Sequence, residues 1–383
     1  MTTQETFIPL SIPCVEGNGK KYLDECVDTN FVSSVGPFVE RFEREFAAYV
    51  GAKYAVACST GTAALHVAMR LVGVQPGDEV IVPTLTFIAS ANPVMYEHAI
   101  PVLVDAEEDT WNLDPALVVE ELDRRARQGK KQPAAVEVVH ILGQPAKIAP
   151  IAEACVRHGV PLIEDAAEAL GARYVDGPYA GCHVGTIGKI GCFSFNGNKI
   201  ITTGGGGMLT TDDLALARRA KHLTTQARLP GPAYLHDEIG YNYRLTNLAA
   251  ALGVSQLELL PEFIRRKLAI AKRYDDALAG VPGLRVPPDP AWSARTAWLY
   301  TLRIDAAKYG ANRDEVLARL GQKRAEARPI WTPLHMMDIY AKAPRIGGAV
   351  AEKLFSEALS IPSSVQLTEA EQDRVIAALT RSA

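Results

Sequence analysis

The chain reads as an α/β protein, with a large, mostly parallel sheet covered by helices and a smaller α+β unit after it. Two observations predict the sheet. From about residue 51 to 250 short apolar runs alternate with helical patterns. The runs themselves are nearly continuous in apolar residues, as strands covered on both faces are. A third observation predicts the second unit: after Leu260-Pro261 the pattern changes to one long helix, a proline-rich turn and a few mixed elements.

Taken in order, residues 1–50 read as an N-terminal arm and helices. Gly36-Pro37 interrupts them, and Phe38, Phe42, Phe46 and Val50 then fall on one helical face. Candidate strands follow at 54–58, 79–83, 101–105, 135–140, 161–165, 190–194 and 208–211. Between them Leu65, Ala68, Met69 and Val72 mark a helical stripe, and 148–158 suggests another helix. Beyond Pro261 a helix rich in Lys and Arg runs to about Leu278. A strand-like segment at 297–304 and helices near 313–320 and 369–379 complete the chain. The division expected is a large domain with its N-terminal arm over 1–260 and a small domain over 261–383.

Composition narrows the function. The chain has 383 residues, 48% hydrophobic and 22% charged, with a net charge of −4. No excess of positive charge favours nucleic acid or an anionic membrane, and no apolar run is long enough to span a bilayer. The opening Met1 to Thr6 lacks the basic and apolar regions of a signal peptide. Six cysteines are scattered without CxxC pairs and read as reduced thiols of a cytoplasmic protein.

Two residues carry the chemistry. Lys199 lies in Phe193-Ser194-Phe195-Asn196-Gly197-Asn198-Lys199, between a short apolar strand and the glycine run Gly204 to Gly207. A lysine there can point its amine at a ligand, and a lysine amine condenses with aldehydes. Asp165 ends the apolar run Leu162-Ile163-Glu164-Asp165, at the strand end where α/β sheets collect ligands. Pyridoxal phosphate requires this pair: a lysine for its aldehyde and a carboxylate for its pyridine nitrogen. A helix cap is the ordinary role of a lone Asp, and the partnership with Lys199 shifts the reading towards the cofactor.

Ala57-Cys58-Ser59-Thr60-Gly61-Thr62 follows a strand and opens a helix. Free N–H groups and the helix dipole make such a site attractive to phosphate, although Ser and Thr also favour helix caps. Together with Ser194 and Lys199 it reads as a phosphate site. Phe87, in the loop Pro83 to Asn92, is placed to stack on a flat ring. Residues 183–189 lack the P-loop spacing, the glycine run lacks the last glycine of GxGxxG, and no two histidines have zincin spacing, so no metal is expected.

As a set these motifs resemble the DegT/DnrJ/StrS family of sugar-nucleotide aminotransferases, from residues 31–46 through Arg328-Pro329-Ile330-Trp331-Thr332-Pro333-Leu334-His335. The stretches 164–171, 193–203, Thr225-Gln226-Ala227-Arg228 and Gly240-Tyr241-Asn242-Tyr243-Arg244-Leu245-Thr246-Asn247 are similar to bacterial enzymes that aminate C4 of UDP-4-keto-6-deoxy-N-acetylglucosamine. The resemblance implies the aspartate aminotransferase-like fold (fold type I), pyridoxal 5'-phosphate as cofactor, L-glutamate as amino donor and a nucleotide-sugar acceptor. A GDP-linked 4-keto-6-deoxymannose or a 3-keto sugar is the alternative acceptor. A non-enzymatic regulator on the same fold is the alternative of another class, and no basic DNA-binding appendage supports it.

Carried over residue by residue, the resemblance makes Lys199 the Schiff-base lysine and Asp165 the partner of the pyridine nitrogen. Thr60, the Gly61 amide and Ser194 would hold the phosphate, and Phe87 would stack. Glu168 would lie by the ring hydroxyl or the sugar. A homodimer is implied in which Asn242 or Arg244 reaches the partner's phosphate. Arg228, Arg328 and His335 are the candidates for the nucleotide end, since arginine forks suit diphosphate oxygens.

Overall fold

The computed structural model describes residues 6–380; Met1 to Glu5, which open the segment read as lacking a signal peptide, lie outside the described residues. The strands are β1 (Tyr54–Cys58), β2 (Glu79–Pro83), β3 (Ile100–Val104), β4 (Ala135–Val139), β5 (Leu162–Asp165), β6 (Arg173–Tyr174), β7 (Ile190–Ser194), β8 (Gly207–Thr211), β9 (Leu284–Arg285), β10 (Ser293–Ala294), β11 (Tyr300–Ile304), β12 (Arg328–Pro329), β13 (Arg345–Ile346) and β14 (Ala358–Ile361). The helices up to the middle of the chain are α1 (Gly19–Asp28), α2 (Pro37–Val50), α3 (Gly61–Val72), α4 (Asn92–Tyr96), α5 (Pro115–Arg127), α6 (Ile148–His158), α7 (Leu214–Thr224) and α8 (Asn247–Leu278).

Eight strands form one sheet in the order β1-β8-β7-β5-β4-β2-β3-β13. Neighbours from β7 to β13 are parallel, and β8 alone runs against both of its neighbours. The mostly parallel sheet expected from the apolar runs is therefore present. Both faces are covered because both faces are apolar. Val136, Val138 and Phe193 face one core, and Ala135, Ile163 and Ile190 face the other. A second, antiparallel sheet, β12-β14-β11-β9, is built wholly from residues after 283.

Helix α2 shows how the sequence anchors the site. Its predicted stripe, Phe38, Phe42, Phe46 and Val50, is buried. The Phe46 ring lies 5.0 Å from that of Phe193, and the Phe42 ring 5.1 Å from that of Phe195. Each buried ring contributes about 1.5–3 kcal/mol. Together they clamp β7 and the turn that carries Lys199.

The change of pattern at Leu260-Pro261 falls inside α8, which continues through Pro261 for 32 residues in all. Proline in a helix interior costs ~3 kcal/mol or more, through a lost N–H bond and a steric clash. Leu257, Leu260, Phe263, Ile270, Tyr274 and Leu278 are buried along the same helix. At ~1.5–3 kcal/mol each their burial exceeds the proline penalty.

Strand ends differ from the sequence reading by a residue or so, and one differs by three. The segment read as a strand from residue 297 becomes one only at Tyr300, because Ala297 has φ +49° and leaves the extended region. Among the described residues no helix is long and apolar enough to cross a membrane.

Candidate active site

At the C-terminal ends of β5 and β7 lies a cavity of about 270 Å³. Thr60, Gly61, Phe87, Asp165, Glu168, Ser194 and Lys199 all line it. The structure thus brings together seven side chains and amides drawn from positions 60 to 199.

Lys199 sits in the connection between β7 and β8. Phe195 and Gly206 close its base through Phe195 N–H to the Gly206 carbonyl (2.8 Å), and Thr203 N–H returns to the Phe195 carbonyl (3.0 Å). Gly204, at φ +81°, makes the turn possible. The Lys199 amine lies 3.9 Å from Glu168 and 3.8 Å from the ring centroid of Trp298, with its side chain only 13% exposed. Burial pushes the amine below its ordinary value, and Glu168 and Asp165 offset part of that shift. An amine so placed is a better base and nucleophile near neutral pH than a surface lysine.

Asp165 ends β5 and is buried. Ser90 Oγ donates to it at 2.8 Å and Ala167 N–H at 3.0 Å. Thr86 Oγ and Ser90 Oγ lie 2.8 Å apart behind it. Burial raises its carboxyl above the ordinary range, and the two donors offset part of the rise. The bond to Ala167 resembles the cap weighed in the sequence, but a turn follows and not a helix.

Glu168 is buried and accepts from Leu142 N–H at 2.7 Å. Leu142 is itself held at φ +57°. Burial raises Glu168 to about 7, partly offset by Lys199. It is neither exposed nor helical, the alternatives a lone Glu would suggest.

The turn from β1 into α3 makes the helix cap and leaves free N–H groups beside it. Thr60 Oγ1 caps the helix by accepting from Ala63 N–H at 3.0 Å. The first N–H groups of a helix have no intrahelical acceptor, so Gly61 and Thr62 still offer theirs at the cavity wall. A Cβ on Gly61 would lie 2.7 Å from Ser194 Cβ, and one on Gly207 would lie 2.4 Å from the Thr60 carbonyl oxygen. Glycine at both points lets three segments meet, leaving a small cradle of N–H and hydroxyl groups suited to an anion.

Phe87 is half exposed and its ring stands 6.4 Å from that of Trp331. Ser90, Trp298 and Trp331 also line the cavity and were not singled out in the sequence. Ser90 lies in the quoted Phe87 loop, and Trp331 lies in the quoted segment before His335. Trp298 carries no local signal.

The remaining candidates lie outside this lining. Arg228 stacks its guanidinium 4.4 Å from the Tyr234 ring. Arg328 is bound to Glu326 at 2.8 Å. His335 bridges Thr84 (2.6 Å) and Glu352 (3.0 Å). Asn242 and Arg244 are exposed. Their neighbours Tyr241 and Tyr243 point inward, 4.6 and 5.8 Å from the His66 ring. Backbone bridges tie the segment to Thr225 and Cys58.

The chain is similar to known aminotransferases over nearly its whole length. The GDP-perosamine synthase of Caulobacter vibrioides is 42% identical to the chain, with 97% of each covered. The solved aminotransferase TlmJ from Streptoalloteichus hindustanus superposes with a TM-score of 0.87 at 32% identity, covering 97% of this chain and 98% of its own. A DegT DnrJ EryC1 StrS aminotransferase from Brucella abortus gives 0.87 at 29% identity, with 94% of each covered. Residues 13–380 match the DegT/DnrJ/EryC1/StrS aminotransferase family, so the chain belongs to that family and is a pyridoxal phosphate-dependent sugar aminotransferase.

Proposed function

We propose that the chain transfers the amino group of L-glutamate to the keto carbon of a nucleotide-linked 4-keto-6-deoxy sugar, giving 2-oxoglutarate and a 4-amino sugar. The observation that carries this reading is the meeting of Lys199, Asp165 and Glu168 in one cavity, with the two carboxylates buried and the amine nearly so. Pyridoxal phosphate, when bound, supplies an electron-withdrawing ring that stabilises negative charge beside the reacting nitrogen.

The residues present fit that group. The Asp165 carboxyl, raised by burial with two donors on it, is held where a protonated ring nitrogen would restore its charge. Gly61, Thr62 and Ser194 offer donors to a phosphate, with Thr60 shaping the cradle. Phe87 covers one side of the cavity. Lys199, its amine depressed by burial, takes a proton from the substrate carbon and returns one on the other side of the reaction. Glu168, 3.9 Å away, steadies the ammonium that forms. Lys199→Ala should abolish transamination while the fold survives, and near-normal turnover by that variant would remove Lys199 from this role.

For the acceptor, the similarity of 193–203 and 225–228 noted above supports a UDP-linked 4-keto-6-deoxy-N-acetylhexosamine. The 42% identity to a GDP-perosamine synthase supports a second acceptor, GDP-linked 4-keto-6-deoxymannose. Arg228, Arg328 and His335 are proposed to serve the nucleotide end through a rearrangement of their present local pairs. Formation of 2-oxoglutarate from glutamate, measured against both nucleotide ketosugars, decides between them. Turnover of neither would remove both acceptors and leave the 3-keto sugar to be tried.

We also propose a homodimer with shared sites, working in a reducing cytoplasm, where six unpaired cysteines are at home. Asn242 and Arg244 stand exposed on an anchored segment, and the exposed Phe31, Val32 and Val35 lie beside Asn247. Mixing Lys199→Ala with an Asn242→Ala, Arg244→Ala double variant should restore part of the activity. A monomer in solution, or no recovery, would contradict it.

A further inference from the structure

Lys267, on α8, is 2% exposed and has no carboxylate among its partners. Its ammonium donates to the carbonyl of Trp298 (2.5 Å) and to the carbonyl of Ser363, and lies 3.5 Å from Ser363 Oγ. Three donors thus meet three oxygens. A lysine buried without a counter-charge is costly to fold around, and burial alone pushes it down to about 7. It belongs to no part of the cavity lining, and nothing above gives it a task.

One of these partners, Trp298, is better connected. Trp298 donates its indole N–H to the carbonyl of Asn198 at 2.7 Å, one residue before Lys199. It presents its ring face to the Lys199 amine, 3.8 Å from the centroid. The Trp331 ring stacks at 6.3 Å, with 13° between the planes. The approach to Trp298 is strained: Ala297 has φ +49° without being glycine, a conformation that persists only where the surroundings hold it. Two groups do so. Gly143 receives Thr296 N–H at 3.0 Å, and Lys267 grips the carbonyl on the far side.

We propose that Lys267 is a positioning residue: by holding the Trp298 carbonyl it keeps the indole face against the amine of Lys199. The proposal rests on Lys199 being the reacting lysine, as argued above, and adds two residues that act on it. An aromatic face stabilises the ammonium form. The ring therefore opposes the burial that lowers the Lys199 amine, and Lys267 fixes how well the ring does so. Glu168 acts in the same sense from another side, so loss of the ring weakens the effect without abolishing it.

The test reads the Lys199 amine and not turnover. In the full-length, cofactor-free protein, acylation of Lys199 is followed against pH by peptide mass spectrometry. Lys267→Met should lower the Lys199 midpoint by roughly half to one pH unit, the size of a partly buried cation–π contact. Trp298→Phe should produce a shift of the same sign, and Lys267→Met made on Trp298→Phe should add little. In the loaded protein the pH midpoint of the cofactor's visible absorbance should follow the same pattern. If Lys267→Met does not fold, Lys267→Gln, which keeps an N–H donor, should give a smaller shift of the same sign. No shift, or an equal shift in both backgrounds, would overturn the proposal. Finding the cofactor on a different lysine would remove the functional reading of Lys199, while the coupling of Lys267 to the amine would still be read from the cofactor-free protein.

Discussion

Glu164 and Asp165 are neighbours on β5 and both are buried, but alternation along a strand turns them to opposite faces of the sheet, and their surroundings differ in kind. Glu164 is saturated. It accepts from the N–H groups of Gly185 (2.7 Å), Ile187 (2.6 Å) and Gly188 (2.5 Å) and meets His140 Nε2 at 2.9 Å. Burial pushes its carboxyl up, yet these donors outweigh burial and hold it below the ordinary range. Asp165 has two donors and a raised carboxyl that faces the cavity. The saturated acid ties the loop 185–188 to the sheet. The acid with spare capacity is the one that can meet a ligand. Burial alone does not mark a functional carboxylate; burial with unspent hydrogen-bonding capacity at a cavity wall does.

The comparison can be broken most sharply at Glu164. Glu164→Gln leaves His140 without its carboxylate and turns an amide N–H towards backbone donors. A loss of about 3–5 kcal/mol in denaturant unfolding is expected, with activity per folded molecule little changed. Normal stability would show that Glu164 is not structural. Asp165→Asn should do the reverse. Ala167 N–H and Ser90 Oγ bond opposite oxygens of the carboxylate, so the asparagine can keep the Ala167 bond on its oxygen while its amide nitrogen donates to Ser90 Oγ, and stability should hold or rise. Turnover should fall by about 10²–10³-fold, the range seen when one preorganised electrostatic partner is removed. An unchanged rate would take Asp165 out of the site.

Glu168 sharpens the same contrast through pH, with the smallest expected effect. Burial raises it from an ordinary 4.5 to about 7. The folded, cofactor-free protein therefore keeps a proton that the unfolded chain has released. The stability linked to that proton is complete below pH 4.5 and is lost as pH rises through about 7. Glu168→Gln should remove this loss, worth on the order of 1–3 kcal/mol, and flatten the stability profile across that window relative to the parent. Parallel profiles for the two proteins would mean that Glu168 titrates normally.

Much of this was legible in the sequence because it is local. Lys199 before a glycine run, Asp165 at a strand end and Thr60-Gly61 at a helix start are each set by a few neighbouring residues. The stripe of α2 and the near-continuous apolar strands fixed the layers of the fold in the same way. What was hidden depends on distant partners. Trp298 reaches Lys199 from almost a hundred residues away, through a left-handed turn at Ala297 that no local rule anticipates. Ser90 looked like loop filler until β5 brought Asp165 against it. Pro261 reads as a stop, and only the buried stripe on both sides of it explains why α8 continues. Arg228, Arg328 and His335 are held by Tyr234, Glu326, Thr84 and Glu352, near and distant partners that motif resemblance does not reveal.

The central claim is that Lys199 carries the cofactor in a cavity whose floor is Asp165. Borohydride reduction of the cofactor-loaded protein, followed by peptide mapping, tests it most directly. The account predicts loss of the visible absorbance and a stable adduct on the peptide that contains Asn198, Lys199 and Ile200. An adduct on Lys267 or on any other lysine, or no adduct from a loaded and active protein, would contradict it.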